Sequence, residues 1–152
     1  MSTGLRQLDE LAADNVRRVN PVAATDPDLS GLAPMARTVL IVDDHASFRA
    51  AARQLMELQG FDVVGVATDA ASAVEAARVL HPDVVLLDVQ LPDGDGFRVS
   101  EELAALGCSA QIVLVSSRLG RDYGSRLAGA SVAGFISKDK LSPETIGAVL
   151  AV

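Results

Sequence analysis

The sequence predicts an α/β protein: a doubly wound, parallel, five-stranded sheet with helices on both faces. Three observations predict it. Five short apolar runs alternate with five stretches of helical spacing between residues 38 and 152, the pattern of βαβ units with right-handed crossovers. The first, third and fourth runs are apolar at successive positions rather than alternate ones, so both faces must be covered. The runs also end in polar residues, at the strand ends where open sheets of this kind collect their chemistry.

Each element has its own signal. Thr38–Val42 is the first strand and ends in Asp43-Asp44. Ala46–Leu58 has helical spacing through Phe48, Ala52, Leu55 and Met56, and Gly60 stops it. Phe61–Val66 is the second strand. Asp69 caps a helix over Ala70–Leu80, which His81-Pro82 ends. Val84–Leu87 is the third strand, ending in Asp88, and a loop leads to a helix over Gly96–Leu106. Ile112–Val115 is the fourth strand, ending in Ser116-Ser117. Asp122–Ala128 is a weakly patterned helix, and Val132–Ile136 is the fifth strand, followed by Ser137-Lys138. Ser142-Pro143-Glu144 supplies a cap residue and a proline at the first helical position, and opens the last helix, which reaches Val152.

The stretch before this pattern reads differently. Leu5, Leu8, Ala12, Val16 and Val19 make one weak apolar helical stripe, and Asn20-Pro21 ends it. Residues 21–34 are rich in Pro, Asp, Ser, Thr and Gly without period, the composition of a disordered linker. Residues 1–36 are therefore expected to be an N-terminal extension, and 37–152 the folded domain. Met35-Ala36-Arg37 leads straight into the first strand, which makes Met35 a candidate start.

Composition bounds the function. Hydrophobic residues at 49% and charged residues at 22% exclude full disorder, while four Phe, one Tyr and no Trp leave an aliphatic core. A net charge of −7 lacks the basic footprint of a nucleic-acid binder and argues against docking on an anionic membrane. Cys108 is the single cysteine, so neither an intramolecular disulfide nor a cysteine metal cluster can form. No apolar run approaches the roughly 20 residues of a membrane helix, and no signal layout opens the chain. The expected location is the cytoplasm.

The strand ends carry the chemistry. Asp43, Asp44, Asp88, Ser116 and Lys138 fall at successive carboxyl ends and converge on one rim if the sheet forms. Singly, each has a plain structural role as a helix cap, a loop hydrogen bond or a solvated charge. Together, three carboxylates repel unless a cation neutralises them, and hard oxygen ligands suit Mg²⁺. The chain has eleven Arg but only two Lys, Lys138 and Lys140. A Lys opposite carboxylates and a hydroxyl makes a site for a phosphoryl group, with an Asp as nucleophile.

Three segments carry a family resemblance. Val39–His45, Asp83–Gly96 and Gly134–Asp139 resemble the receiver domain of two-component response regulators over residues 37–152. The Asp-Asp-His-x-x-Phe-Arg stretch and the Lys-Asp before Ser-Pro-Glu are most similar to the NarL/FixJ subfamily. The resemblance implies a flavodoxin-like (βα)5 sheet with strand order 2-1-3-4-5. It implies Asp88 as phosphoacceptor, fed by a phosphohistidine on a sensor histidine kinase or phosphotransfer protein. It implies Mg²⁺ held by Asp44 directly, by Asp43 through water, and by Asp88 and the backbone carbonyl of Gln90. Lys138 would pair with the phosphoryl group and Ser116 would hydrogen-bond it. Phe135 would be the aromatic that turns inward when Ser116 is drawn in, with Pro92 and Gly96 shaping the loop after Asp88. Gln90 and Arg118 stand at variable flanking positions and would tune phosphoryl loss. The Lys138-Asp139 bond departs from the family's usual Lys-Pro.

Several other expectations follow. The helix-turn-helix that usually follows such a receiver is absent from this sequence. A stand-alone receiver acting on a downstream protein target is therefore expected, with a remnant or fragment of a DNA-binding regulator as the alternative. The short last helix predicts a monomer or a weak phosphorylation-linked dimer. The chain is expected to catalyse only its own phosphorylation and dephosphorylation. A haloacid dehalogenase-type phosphatase is disfavoured because its Asp-x-Asp motif does not follow the first strand. A flavin-binding module is disfavoured because acids, not glycines, stand there. His45 reads as a surface residue opening the first helix and His81 as a helix terminus.

Overall fold

In the computed structural model, residues 36–151 are described; the expected N-terminal helix and linker lie outside them. Five parallel strands form the sheet: β1 (Thr38–Val42), β2 (Asp62–Ala67), β3 (Val84–Asp88), β4 (Gln111–Ser116) and β5 (Gly134–Ser137), in the order 2-1-3-4-5. Helices α1 (Ala46–Leu58), α2 (Ala70–Leu80), α3 (Gly96–Ala105), α4 (Ser125–Ala128) and α5 (Pro143–Leu150) connect or follow them.

Alternation along the strands divides the core into two layers. Val39, Ile41, Val84, Leu86, Val113 and Val115 face α1 and α5, where Ala52, Met56, Ile146 and Leu150 close over them. Leu40, Val42, Val85, Leu87, Ile112 and Leu114 face α2 and α3, through Ala73, Ala76, Ala77, Phe97 and Leu103. All four residues Val84–Leu87 are fully buried, as continuous apolar strands require.

The helix ends follow the capping residues. Ser72 N–H donates to Asp69 Oδ1 at 2.8 Å, and Thr145 N–H to Ser142 Oγ at 3.2 Å. His81 ends α2 with a left-handed backbone at φ 49°. A cap that the sequence did not suggest comes from the loop after β3. Asp93 accepts from Ala70 N at 2.6 Å and Ala71 N at 3.1 Å, pinning that loop to the start of α2. These two backbone hydrogen bonds, led by that from Ala70, hold its carboxyl below the usual range. Asp93→Ala is expected to speed amide hydrogen exchange at Ala70 and Ala71; unchanged exchange would remove Asp93 from the cap.

Three elements differ from expectation. The helix expected over 122–128 is a 3-10 turn (Gly120–Tyr123) and the one-turn α4, separated by Gly124 at φ +52°. That backbone breaks a right-handed helix. The fifth strand starts two residues late, at Gly134: Ala133 N–H already bonds Ile112 O at 2.7 Å, but strand pairing begins at Val113–Gly134. Gln90–Leu91 and Gly94–Asp95 form a small antiparallel ribbon within the expected loop.

Gly96 is required by close approach. A Cβ there would stand 2.6 Å from the Asp88 carbonyl oxygen and 3.1 Å from Val89 Cα. Gly96→Ala must push back the backbone that carries Asp88, and a cost of about 1–3 kcal/mol in urea unfolding is expected. A loss under a few tenths would show that the loop yields freely.

Candidate functional site

The sheet places its polar strand ends together. Asp43 follows β1, Asp88 ends β3, Ser116 ends β4 and Lys138 follows β5. Asp43 and Ser116 are fully buried and Asp88 is 2% exposed. Lys138 Nζ lies 2.6 Å from Asp43 Oδ2 and 3.3 Å from Asp88 Oδ2, and 4.5 Å from the centre of the Phe48 ring on α1. The other Asp88 oxygen accepts from Gln90 N–H at 3.1 Å.

Burial and charge divide the carboxylates. Burial and then the Asp43 charge push the Asp88 carboxyl up to about 6. Burial also pushes Asp43 up, but Lys138 and the backbone N–H and ring of His45 outweigh it and hold that carboxyl low. For Lys138, burial works against its charge, yet the two carboxylates more than compensate and raise its pKa. The repulsion among strand-end acids is therefore resolved unevenly, with Asp88 keeping the higher affinity for a proton.

The rim also offers a cation place. One ligating atom each from Asp43, Asp44, His45 and Asp88 lie within 4.8 Å of one another. Asp43 Oδ2 is buried and, although the Lys138 ammonium is close by, accepts no aligned hydrogen bond. A hard divalent cation would satisfy that oxygen, so the donor set fits the Mg²⁺ expected of it.

His45 stands at the surface and opens α1, as expected, but does more than that. Its backbone N–H donates to Asp43 Oδ1 at 2.8 Å, and its Nδ1 lies 3.0 Å from Asp43 and 3.1 Å from Asp44. Gln90 and Arg118 are both exposed at the mouth. Phe135 is half-buried on β5 and packs against Tyr123, ring centres 5.7 Å apart. Two contacts escaped the sequence reading. Phe48 lies under Lys138, and the Tyr123 hydroxyl lies 2.6 Å from Ser116 Oγ. In the sequence Phe48 reads as an apolar helix position and as part of the Asp-Asp-His-x-x-Phe-Arg stretch, neither of which places it against a lysine, and Tyr123 sits in a segment without clear period.

An open parallel sheet with buried acids and one lysine gathered at its carboxyl rim is the arrangement of an α/β domain whose functional groups sit at the strand ends. The chain belongs to the response regulator receiver domain family, which it matches over residues 39–150. It is 34% identical over 118 residues to the virulence-factor transcription regulator BvgA of Bordetella pertussis, covering 78% of this chain and 56% of that protein. It is 34% identical over 112 residues to the DNA-binding transcriptional activator EvgA of Escherichia coli K12, covering 74% and 55%. Among solved structures, the signal receiver domain of the response regulator NarL from Mycobacterium tuberculosis superimposes with a TM-score of 0.72 at 31% identity. That match covers 78% of this chain and 96% of the other. The chain thus spans about half the length of the curated relatives it matches. It is a receiver domain of the two-component signalling type, of the NarL-like group. No helix among the described residues is long and apolar enough to cross a membrane.

Proposed function

We propose that residues 37–152 act as a phosphoacceptor receiver with Asp88 as the acceptor. The observation that carries this reading is a nearly buried Asp88 carboxylate with Lys138 at 3.3 Å and Asp43 close by. An Asp88 oxygen attacks phosphorus of a phosphohistidine on a sensor kinase or phosphotransfer protein. The P–N bond breaks, the imidazole leaves, and an acyl phosphate remains. Catalysis of such a step is mainly in-line positioning and neutralisation of the phosphoryl oxygens.

Lys138 neutralises one side by turning from Asp43 towards the incoming oxygens. Asp43, Asp44, Asp88 and the Gln90 carbonyl would hold Mg²⁺, which when bound supplies positive charge on the other side. Ser116 donates its hydroxyl to a phosphoryl oxygen. Drawing Ser116 in shifts the loop after β4 and lets Phe135 turn inward, which biases the surface formed by α4, β5 and α5. On this reading the chain turns over no external substrate beyond its own phosphorylation and dephosphorylation. It works in the cytoplasm and presents the altered surface to a protein target rather than to DNA. Its net charge of −7 favours that choice of target.

The test is intact mass after incubation with Mg²⁺ and a small-molecule phosphodonor. One acid-stable, base-labile phosphoryl adduct on the peptide carrying Asp88, abolished by chelator, is expected. A folded protein that takes no adduct from either this donor or a histidine kinase overturns the reading. Gln90 and Arg118 are expected to set how fast water removes the phosphoryl group. Substituting both should change the dephosphorylation rate severalfold, and an unchanged rate would remove them from that role.

A further inference from the structure

We infer that Tyr123 is a positioning residue for the phosphoryl reaction: its hydroxyl holds the Ser116 hydroxyl away from the acceptor and competes with the phosphoryl group for it. This rests on the reading of Asp88 as phosphoacceptor. Ser116 Oγ makes two hydrogen bonds among the described residues, to Tyr123 OH at 2.6 Å and from Arg118 N–H at 3.0 Å. Both run along its own loop, and neither goes to Asp88 or Lys138. Ser116 is fully buried, so bulk water does not stand in for these partners. A serine hydroxyl has one proton and two lone pairs. Either hydroxyl can donate in the Ser116–Tyr123 pair; in the arrangement where Ser116 donates to the phenol, its proton is the one a phosphoryl oxygen needs, and turning it towards Asp88 gives up the contact with Tyr123.

The aim of the phenol is set by packing. The Tyr123 ring lies between Phe97 and Phe135, with ring centres at 5.4 and 5.7 Å and tilts of 58° and 57°. Those are favourable tilted aromatic contacts. Phe97 is the second residue of α3, beside Gly96, whose backbone N–H bonds the Val89 carbonyl next to Asp88; Phe135 is on β5. Phe135 carries no hydroxyl of its own, so the oxygen reaching Ser116 comes from Tyr123, on the turn after β4. The same ring thus fixes a hydroxyl on Ser116 and occupies one side of Phe135. Moving Ser116 inward releases both contacts together.

The energetic consequence has a sign that damage to packing does not share. Removing only the phenol oxygen withdraws a partner from a buried hydroxyl in the unmodified state. The state in which Ser116 faces the phosphoryl group has already given that partner up. The balance moves towards the second state, and a phosphoryl mimic binds more tightly.

The experiment titrates the full chain with beryllofluoride in Mg²⁺, a mimic that occupies the acceptor carboxylate without transfer chemistry. Tyr123→Phe is expected to bind about 2- to 10-fold more tightly than wild type, the range carried by one neutral hydrogen bond. In a Ser116→Ala background, adding Tyr123→Phe should change affinity less than twofold, because nothing is left for the phenol to hold. Tyr123 is the only tyrosine and there is no tryptophan. Near-ultraviolet tyrosine absorption of wild type should therefore shift on binding as the phenol loses Ser116. Equal or weaker binding by Tyr123→Phe, or an equal gain in the Ser116→Ala background, overturns the competition while leaving the phosphoacceptor reading intact. A wild type that does not bind beryllofluoride, or binds it equally well as Asp88→Asn, overturns both.

Discussion

Asp88→Asn should abolish phosphoryl uptake and yet leave the protein harder to unfold at pH 7 in the presence of chelator. The Asp88 carboxylate is nearly buried, and its pKa rises from 3.8 to about 6, first through burial and then through the Asp43 charge. An acid with a raised folded pKa lowers stability once it ionises. Below about pH 4 it is protonated in both states and costs nothing. Between pH 4 and 6 the unfolded chain releases the proton more readily, so stability from this group falls as pH rises. Above pH 6 the full cost is present, and the distance from 3.8 to about 6 corresponds to on the order of 3 kcal/mol. Asn removes the charge at nearly constant shape and keeps an oxygen for the Gln90 N–H. Part of the gain is lost because the amide N–H groups face the Lys138 ammonium. A net gain of about 1–3 kcal/mol at pH 7 is expected, shrinking towards zero by pH 4. Urea unfolding of wild type and variant at a series of pH values measures it. A variant no more stable than wild type at pH 7, or a gap that stays constant on acidification, would refute the account. The buried Asp88 carboxylate is one the fold would do better without.

Much of this was written locally in the chain. Strands β1, β3 and β4 are apolar at successive residues, so their burial on both faces and the three-layer fold could be read directly. Asp43, Asp88, Ser116 and Lys138 could be read as one rim because each stands where an apolar run stops, and a parallel sheet brings all such stops to one edge. What could not be read depends on distances across the chain. Asp93 caps α2 from 23 residues away in sequence. Phe48 slides under Lys138 because α1 crosses the rim, which the helical period alone does not reveal. Tyr123 meets Ser116 from the tight turn that ends at Gly124, where the sequence suggested a continuous helix. A glycine inside a weak helical pattern can be tolerated or can break it, and tertiary packing decides which.

Lys138→Met should have the opposite effect on stability from Asp88→Asn. Lys138 is the cation shared by two buried acids, 2.6 Å from Asp43 and 3.3 Å from Asp88. Without it, Asp43 loses the main partner that keeps its carboxyl low, and Asp88 keeps its burial penalty with no counter-charge. Truncating one partner of a buried ion pair typically costs about 3–5 kcal/mol, since an uncompensated charge remains. That cost should appear at pH 7–8 in chelator and diminish towards pH 4, where the acids take up protons instead. Mg²⁺ should restore part of the stability by binding the folded carboxylates and not the unfolded chain. Lys138→Met with Asp88→Asn should be markedly more stable than the sum of the single effects predicts, because the second change removes one of the stranded charges. Phosphoryl uptake should fall about 100-fold or more in Lys138→Met, as when one fixed donor to a transition-state charge is lost. Lys138→Arg distinguishes charge from fit: it keeps a cation near both acids, but a planar fork replaces a compact ammonium over the Phe48 ring. Stability should be largely retained and transfer should remain slow. If Lys138→Met unfolds like wild type at pH 8, the lysine is not the cation that makes two buried carboxylates tolerable at this rim.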